Sequence, residues 1–471
     1  MTGKPLDPEE VIRDWLTEAA PNRAPTSLRE TLELEVSRPA GQARPRPRLG
    51  HDGVRLASRI AAALAFLAIV GTGAYFYGTS RTNRPGPGAS ASPTESAGVS
   101  HTASSSPGAA PLVGDWHLVD TQFVDDQPGA LGGGHITTVV GLSLGGFVAF
   151  VFNPTLVKTV VFHSGDGTTW DEVGSLPTKN ATVTSVTDSG GQVVAVGYAY
   201  DQVANVAAPI AWTSTDLQTW SAAVLSAPAN NGAMMIKVAP NGFLVWGMEL
   251  TQRTGLHFNF WISADGASWR AVAGPSLPAG AAVEDLSANS AGFVIRSSSQ
   301  GLIQTWNSVD GAAWANAWTG PANSGRDYYS MGRPTLRAPD GTYVTLGFDT
   351  TQPGASSEYP VTWTSGDLTH WTIAGRTQSE GGAPAVAASI PGGFLGAGWC
   401  GQNVAGCPNG SVAVWTSVDA LTWNQIPGAR AIVDSLGGLS PTGVASDGTH
   451  VIVVLTDNHD RIHLLVGTER K

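Results

Sequence analysis

Ser164-Gly165-Asp166-Gly167-Thr168-Thr169-Trp170 is the first of six copies of one motif, Ser-x-Asp-x-x-x-Trp. The Asp residues of successive copies lie 45 to 57 positions apart, the period of a propeller blade or a similar repeat unit. The acidic and aromatic members of the six copies are Asp166, Trp170, Asp216, Trp220, Asp265, Trp269, Asp310, Trp314, Asp367, Trp371, Asp419 and Trp423. The motif therefore predicts an architecture of repeated units.

Each copy follows apolar residues that alternate with small polar ones, as in Val361-Thr362-Trp363-Thr364, which is a strand pattern. Gly follows the Asp in three copies and suits a backbone position with positive φ. Ser and Asp side chains commonly bond the backbone of their own turn, and Trp offers a large apolar face. We therefore expect each copy to form a β-hairpin, with its Asp and Trp as scaffold.

A second repeat, a Gly-containing turn followed by an apolar strand, precedes every copy and occurs once more without one. Gly145-Gly146-Phe147-Val148-Ala149 is its first example and Asp447-Gly448-Thr449-His450-Val451 its seventh. Together the two repeats predict a four-stranded unit, which is the blade of a propeller.

The fold predicted for residues 112–471 is all-β, a seven-bladed β-propeller. The seventh unit ends at its third strand, near Arg461–Val466, and we expect Trp116-His117-Leu118-Val119 to supply its fourth. A six-bladed propeller with a terminal cap is the alternative.

The six motifs resemble the Asp-box, or BNR repeat, of sialidases, sortilin-type receptors and other secreted propellers, and the resemblance spans residues 112–471. It implies that the hairpins lie on the blade rim, away from the ligand face. Sialidases of this type also carry an Arg triad, whose first member sits in a Phe/Tyr-Arg-Ile-Pro motif ahead of the first box. No Arg occurs between Arg84 and Arg253 here, so the triad cannot be assembled in the family's order.

The loops on the opposite face are the expected ligand site. They carry the candidate binding residues Arg253, Arg326, Asp327, Tyr328, Tyr329 and Trp399. Arg326-Asp327-Tyr328-Tyr329 is the densest cluster, and aromatic residues beside a charge suit sugar or peptide recognition. The sequence has no Ser-His-Asp order, no Gly-rich phosphate loop and no His cluster, so we predict no catalytic residue, metal or cofactor.

Residues 56–80 are expected to form a transmembrane helix. Ile60 to Ser80 carries no charge and is close to the roughly 20 residues that span a bilayer. Five Arg residues between positions 44 and 59 precede it and two follow, which places the N-terminus inside and the propeller outside. A cleaved signal peptide is the alternative.

Residues 81–111 are rich in Pro, Gly, Ser and Thr and are expected to form a stalk. Residues 1–55 carry two short helix signals, which begin near Asp7 and Ser27. This layout resembles the heads of single-pass bacterial membrane proteins, some of them anti-sigma-factor-like. It allows a cytoplasmic protein partner at residues 1–40, and a solvated tail is the alternative.

Two Cys residues, Cys400 and Cys407, bracket one loop in the extracytoplasmic part and predict a disulfide. The net charge of −11, with no basic stripe in the propeller, argues against nucleic acid as a partner.

Three functions fit these observations. The first is a membrane-tethered binding module for a carbohydrate or protein ligand. The second is an extracytoplasmic glycoside hydrolase of exo-sialidase-like fold with a divergent site. The third is a transmembrane sensor in which residues 1–55 hold a regulator.

Overall fold

The computed structural model describes residues 112–120, 135–153, 156–201, 203–204, 206–228, 230–249, 257–299, 302–320, 328–329, 335–349, 359–379, 382–400, 411–436, 438–457 and 462–470. Ser104–Lys471 constitutes one compact unit. The predicted cytoplasmic segment, transmembrane helix and stalk lie outside the described residues. Within the ranges given above, no helix is long and apolar enough to cross a bilayer.

The described chain folds into seven sheets, which we call blades 1 to 7 and which are antiparallel except at one edge of blade 6. Strand β1 (Val113–Asp120) comes first. Blade 1 is β2 (His135–Gly141), β3 (Phe147–Asn153), β4 (Lys158–Ser164) and β5 (Asp171–Lys179). Blade 2 is β6 (Ala181–Ser189), β7 (Gln192–Asp201), β8 (Val206–Ser214) and β9 (Ser221–Val224). Blade 3 is β10 (Asn231–Ala239), β11 (Gly242–Glu249), β12 (Phe258–Ser263) and β13 (Arg270–Val272).

The remaining blades follow the same order. Blade 4 is β14 (Ala282–Asn289), β15 (Gly292–Ser299), β16 (Leu302–Ser308) and β17 (Ala315–Thr319). Blade 5 is β18 (Tyr328–Tyr329), β19 (Leu336–Arg337), β20 (Tyr343–Asp349), β21 (Tyr359–Ser365) and β22 (Thr372–Arg376). Blade 6 is β23 (Gln378–Ser379), β24 (Gly382–Ile390), β25 (Gly393–Cys400), β26 (Val412–Ser417) and β27 (Thr422–Gln425), and helix α1 (Pro427–Leu436) follows it. Blade 7 is β28 (Ser440–Ser446), β29 (His450–Thr456) and β30 (Ile462–Glu469), completed by β1.

The ring closes through the pairing of β1 with β30. The two strands are antiparallel, with Val113 opposite Glu469 and Leu118 opposite Leu465. The first strands of neighbouring blades contact each other, and β28 of blade 7 contacts β2 of blade 1. The seven-bladed prediction and its closure by the strand around Trp116 are therefore confirmed, and the six-bladed alternative is wrong.

Burial explains why the second and third strands of most blades are rich in apolar residues. A blade packs face to face with two neighbours, so both sides of these strands are covered; β26, for example, is buried throughout. The fourth strands lie at the outside and are mostly exposed, as in β13 and β22. Hydrophobic contact between blades is thus the main stabilising force of the ring.

A β-bulge interrupts the pairing of the first strand with the second in six blades. The residues skipped by the register are Thr137, Thr184, Met234, Glu284, Ala385 and Thr442. A bulge strengthens the local twist of a strand. In blade 5 the corresponding strand is instead split into β18 and β19, which pair with opposite ends of β20.

Two elements depart from the repeat. Strand β23 adds to the outer edge of blade 6 in parallel with β27. Helix α1 buries Ala429 and Val433 in the core between blades 6 and 7 and contacts β1. Ala429, Val433 and Leu436 are spaced at i, i+4 and i+7, which is the apolar stripe of a helix. This helix was not predicted because the repeat pattern implied a direct link between the blades.

Replacing Trp116 tests the closure. Trp116 lies at the register shift between Gly114 and His117 and packs with the core between blades 6 and 7. We expect Trp116→Ala to lower the free energy of unfolding by about 2 kcal/mol, less than a fully buried Trp would cost. Deletion of residues 112–120 should lower it further, because it leaves β30 with an unpaired edge. Urea denaturation measures both, with Trp399→Ala as the control outside the joint; unchanged stability in the deletion would contradict the closure.

Glu469, at the same joint, predicts an unusual pH dependence. Only 7% of the residue is exposed, Ser446 Oγ donates to its Oε1, and its Oε2 is buried with no hydrogen-bond partner among the described residues. Burial raises the pKa of this carboxyl above 4.5, as does the nearby Asp447, while Ser446 and His450 act in the opposite sense. The folded state therefore binds this proton more tightly than the unfolded chain, and Glu469 reduces stability as the pH rises from 4.5 through the raised pKa.

Glu469→Gln cannot ionise and should remove this loss. We expect the variant to gain stability relative to the natural chain as the pH is raised from about 4 to 7.5, measured by urea denaturation. The matched control is Glu172→Gln, an exposed glutamate of β5. If the free energy of unfolding varies with pH in the same way for Glu469→Gln and the natural chain, ionisation of Glu469 does not affect stability.

Candidate functional site

The six Ser-Asp-Trp turns join the third and fourth strands of blades 1 to 6. In all six, one carboxylate oxygen of the Asp, Oδ1, accepts the backbone N–H groups two and three residues later, at 2.7 to 3.2 Å. The Ser hydroxyl lies within 3.3 Å of the same oxygen. In five turns the Trp Nε1 donates to the carbonyl three residues before it. Each Asp is thus engaged inside its own turn.

In the first five turns these hydrogen bonds lower the pKa of the Asp carboxyl and favour its ionised form. The backbone N–H groups of Ser268 and Ala267 lower the pKa of Asp265 to about 2. Burial works against ionisation at Asp166, but hydrogen bonds from Thr168 and Thr169 outweigh it and bring its pKa to about 2. A carboxylate that accepts several N–H groups has little tendency to take up a proton, which is the opposite of what a general acid needs.

The turns also connect neighbouring blades. Thr213 Oγ1 of blade 2 donates to Gly266 O in the blade 3 turn, and Thr362 Oγ1 of blade 5 donates to Ala420 O in the blade 6 turn. A Cβ on Gly266 would approach Val194 of blade 2 to 2.8 Å, so the turn lies close against the preceding blade. We call this side of the ring the turn face and the opposite side the loop face.

Of the predicted binding residues, the structure describes Tyr328, Tyr329 and Trp399. Arg253, Arg326 and Asp327 lie outside the described residues. Tyr328 and Tyr329 form β18, opposite Asp349 and Phe348 at the loop-face end of blade 5. Trp399 is the next-to-last residue of β25 and is 44% exposed. The three described candidates thus lie in two blades, with Tyr328 and Tyr329 in blade 5 and Trp399 in blade 6.

Two further loop-face features come from residues outside that set. Tyr200, at the end of β7, is 38% exposed. In blade 7, His463 Nε2 lies 3.5 Å from Asp457 Oδ2, and both side chains are largely buried. A largely buried His–Asp pair at a strand end is a polar feature that hydrophobic periodicity does not reveal.

Cys400 ends β25 and is 3% exposed. Cys407 lies outside the described residues, so the disulfide stays a prediction.

The most unusual polar cluster lies between blades 4 and 5. Asp285 is 2% exposed and accepts hydrogen bonds from Ser287 Oγ and Thr335 Oγ1. Arg296 is 4% exposed, with Nη1 3.4 Å from Thr335 Oγ1 and Nη2 3.3 Å from Thr345 Oγ1. We call these residues the buried seam.

The guanidinium of Arg296 also lies 5.3 Å from the ring centre of Trp371, the Trp of the blade 5 turn, in cation–π geometry. The space beside the seam is too narrow for a water molecule. The contacts of the seam therefore join blade 4 to blade 5.

The sequence does contain a signal for the seam. In β15, Phe293 pairs with Ser308, the Ser of the blade 4 turn. Counting Phe293 as the first residue, Arg296 is the fourth. The corresponding residues of the other blades are Phe150, Val196, Trp246, Leu346, Ala397 and Val453. An alignment of the seven repeats would show a charged residue at this position in blade 4 only. A charged residue at a position that is apolar in the other blades indicates a buried ionic site. Burying a charge costs several kcal/mol unless it is well paired, so this exception needs its hydroxyl partners.

Within the described ranges, no group of three or more His, Cys, Asp or Glu side chains could hold a metal ion.

Comparison with known proteins finds only solved structures of low similarity. No protein-family model matches it, and neither does any curated protein. It is similar to the GH93 α-L-arabinofuranosidase of Fusarium graminearum, at 12% identity over 75% of this chain and 97% of that one, with a TM-score of 0.39.

Two further solved structures share the architecture. A protein of unknown function from Dyadobacter fermentans is 15% identical over 72% of this chain and 95% of that one, with a TM-score of 0.39. A PL25 polysaccharide lyase, an ulvan lyase, is 9% identical over 74% and 95%, with a TM-score of 0.40. At these identities and TM-scores the likeness carries no argument about activity.

Proposed function

We propose that the chain is a membrane-tethered extracytoplasmic binding protein whose propeller takes a carbohydrate or protein ligand on its loop face. The observation that carries the proposal is the exposure of two aromatic side chains, Tyr200 and Trp399, at the loop-face ends of otherwise buried strands. The pairing partners of β7 and β25 hold the backbone of both residues in place.

Exposed aromatic residues on rigid strands suit recognition for two physical reasons. Their flat faces bury a large apolar area when a sugar ring or a peptide side chain covers them. Because the strands fix the backbone in advance, little conformational entropy is lost on binding.

The six turn carboxylates support a scaffold role for the repeats. Their Oδ1 atoms are occupied by backbone N–H groups, and two of these residues have a pKa of about 2. Such groups do not supply the paired acid and base of a glycoside hydrolase. The resemblance of the motif to Asp-boxes agrees with this role.

Tethering rests on residues 56–80, whose apolar run and Arg-rich N-terminal flank suit a single crossing with the propeller outside. Residues 1–55 then face the cytoplasm, where a partner at residues 1–40 would make the protein a transmembrane sensor. A glycoside hydrolase with a divergent loop-face site is the alternative to the binding module.

A binding screen tests the loop face. Residues 104–471, the compact unit, are screened against immobilised glycans, peptidoglycan and peptides. We expect at least one specific ligand, with affinity reduced about tenfold or more in Trp399→Ala or Tyr200→Ala, because the loss of a stacking surface costs more than about 1.4 kcal/mol.

The matched control is Leu144→Ala, a side chain 80% exposed on the turn face, which should bind normally. Binding that is indifferent to Trp399→Ala and Tyr200→Ala places the ligand elsewhere. Turnover of fluorogenic glycosides by the same protein would favour the hydrolase instead.

Cell fractionation tests the tether. The full chain should sediment with membranes and resist carbonate extraction, and a chain that starts at residue 104 should be soluble. Protease added to intact cells should remove the propeller of the full chain but spare an epitope at the N-terminus. Carbonate release of the full chain would contradict a membrane-spanning segment.

A further inference from the structure

An open cleft of about 460 Å³ lies on the turn face between blades 3 and 4. It lies between two successive turns, Ser263–Trp269 and Ser308–Trp314. Its buried lining is Phe243, at 4% exposure, and Phe293, at 2%, whereas Asp265, Arg270 and Asp310 are exposed. The volume falls in the range of roughly 300–1,000 Å³ that small-molecule sites occupy.

The cleft is built before any ligand arrives. Trp269 donates from Nε1 to Gly266 O at 3.0 Å, and its ring centre lies 6.4 Å from that of Phe243. Asn241 Nδ2 of blade 3 donates to Val309 O of blade 4 at 3.2 Å and so connects the two sides. A site fixed in this way loses little conformational entropy on binding.

The lining offers both kinds of hydrogen-bonding group beside an aromatic surface. Arg270, Ser268 and Asn241 carry donors, and Asp265, Asp310 and Asn241 carry acceptors. A hydroxyl both donates and accepts, so a polyhydroxylated ligand can satisfy all of these groups. An organic cation would leave Arg270 unpaired, and an anion would face two carboxylates.

Asp310 differs from the other turn Asp residues because both residues that donate backbone N–H groups to it are Ala, which have no side-chain hydrogen-bond donor. The side chains of Thr168 and His370 bond Oδ2 of Asp166 and Asp367. The corresponding positions after Asp310 are Ala312 and Ala313, and the hydrogen bonds described for Asp310 all end on Oδ1. Its second carboxylate oxygen is therefore available to a ligand.

We propose that this cleft is a saccharide-binding site that takes a short neutral sugar and disfavours uronic acids. The partly exposed Trp269 provides the main apolar surface, the nearly buried Phe243 and Phe293 add little to it, and Asp310, Arg270 and Asn241 bond the hydroxyls. The site lies on the opposite face from Tyr200 and Trp399, so it does not depend on the loop-face function.

The test uses the full-length protein with cellobiose, maltose, laminaribiose, mannobiose and chitobiose, each measured by calorimetry and by saturation-transfer NMR. We expect at least one of these disaccharides to bind, and digalacturonic acid not to. Asp310→Asn and Arg270→Ala should each weaken that binding about tenfold, as expected for one lost charge-assisted hydrogen bond.

Asp216→Asn is the matched control, because Asp216 has the same turn contacts in blade 2 and does not line the cleft. Thermal unfolding of the cleft variants should match that of this control. No binding by any of the five disaccharides overturns the proposal. The proposal is also overturned if digalacturonic acid binds as tightly as the neutral disaccharides, or if Asp216→Asn weakens binding as much as the cleft variants do. A loss of binding in Trp399→Ala with no loss in the cleft variants overturns it as well.

Discussion

A single carboxylate oxygen holds each hairpin of the first six blades. By accepting two backbone N–H groups, Asp Oδ1 fixes a turn whose residue after the Asp adopts a left-handed conformation, even where that residue is Leu217, Leu368 or Ala420. Such a conformation is unfavourable for residues with a side chain, so the turn's hydrogen bonds must offset it. The turn then places its Trp against the blade core and its backbone against the preceding blade. Blade shape and blade-to-blade contact thus depend on the same interaction.

The repeats made most of the ring predictable. The Gly turn begins the second strand of a blade and the motif ends the third, so their alternation predicted strand order, blade number and the closing role of Trp116. Elements that occur once were missed. Helix α1 rests on three apolar residues, and β23 on two residues paired to an outer edge, and neither has a counterpart in another blade to reveal it. The bulges were missed because a one-residue register shift has no compositional signature.

The predicted ligand site was harder to obtain, because loops lack the periodicity that identifies strands. Within the described strands, side chains that differ from their counterparts are more informative than the shared ones. Arg296 replaces an apolar residue, Trp399 is exposed near the end of a buried strand, and Asp310 has Ala neighbours where other turns have donors. The other blades form without these side chains, so the repeated fold does not require them. In a repeat fold, specific chemistry is therefore best sought where one copy departs from the rest.

The pairing of β1 with β30 also has a consequence for how the chain folds as it is made. Blades 1 to 6 each consist of neighbouring segments and can form soon after they leave the ribosome. Strand β1 cannot pair until β30 has been synthesised, because Val113 pairs with Glu469, which is 356 positions later. At about 5–20 residues per second, translation of that interval takes roughly 20 to 70 s. During that time β1 is an unpaired strand, and the nascent ring is open. Chaperone binding or association with a second nascent chain would compete with closure at this stage.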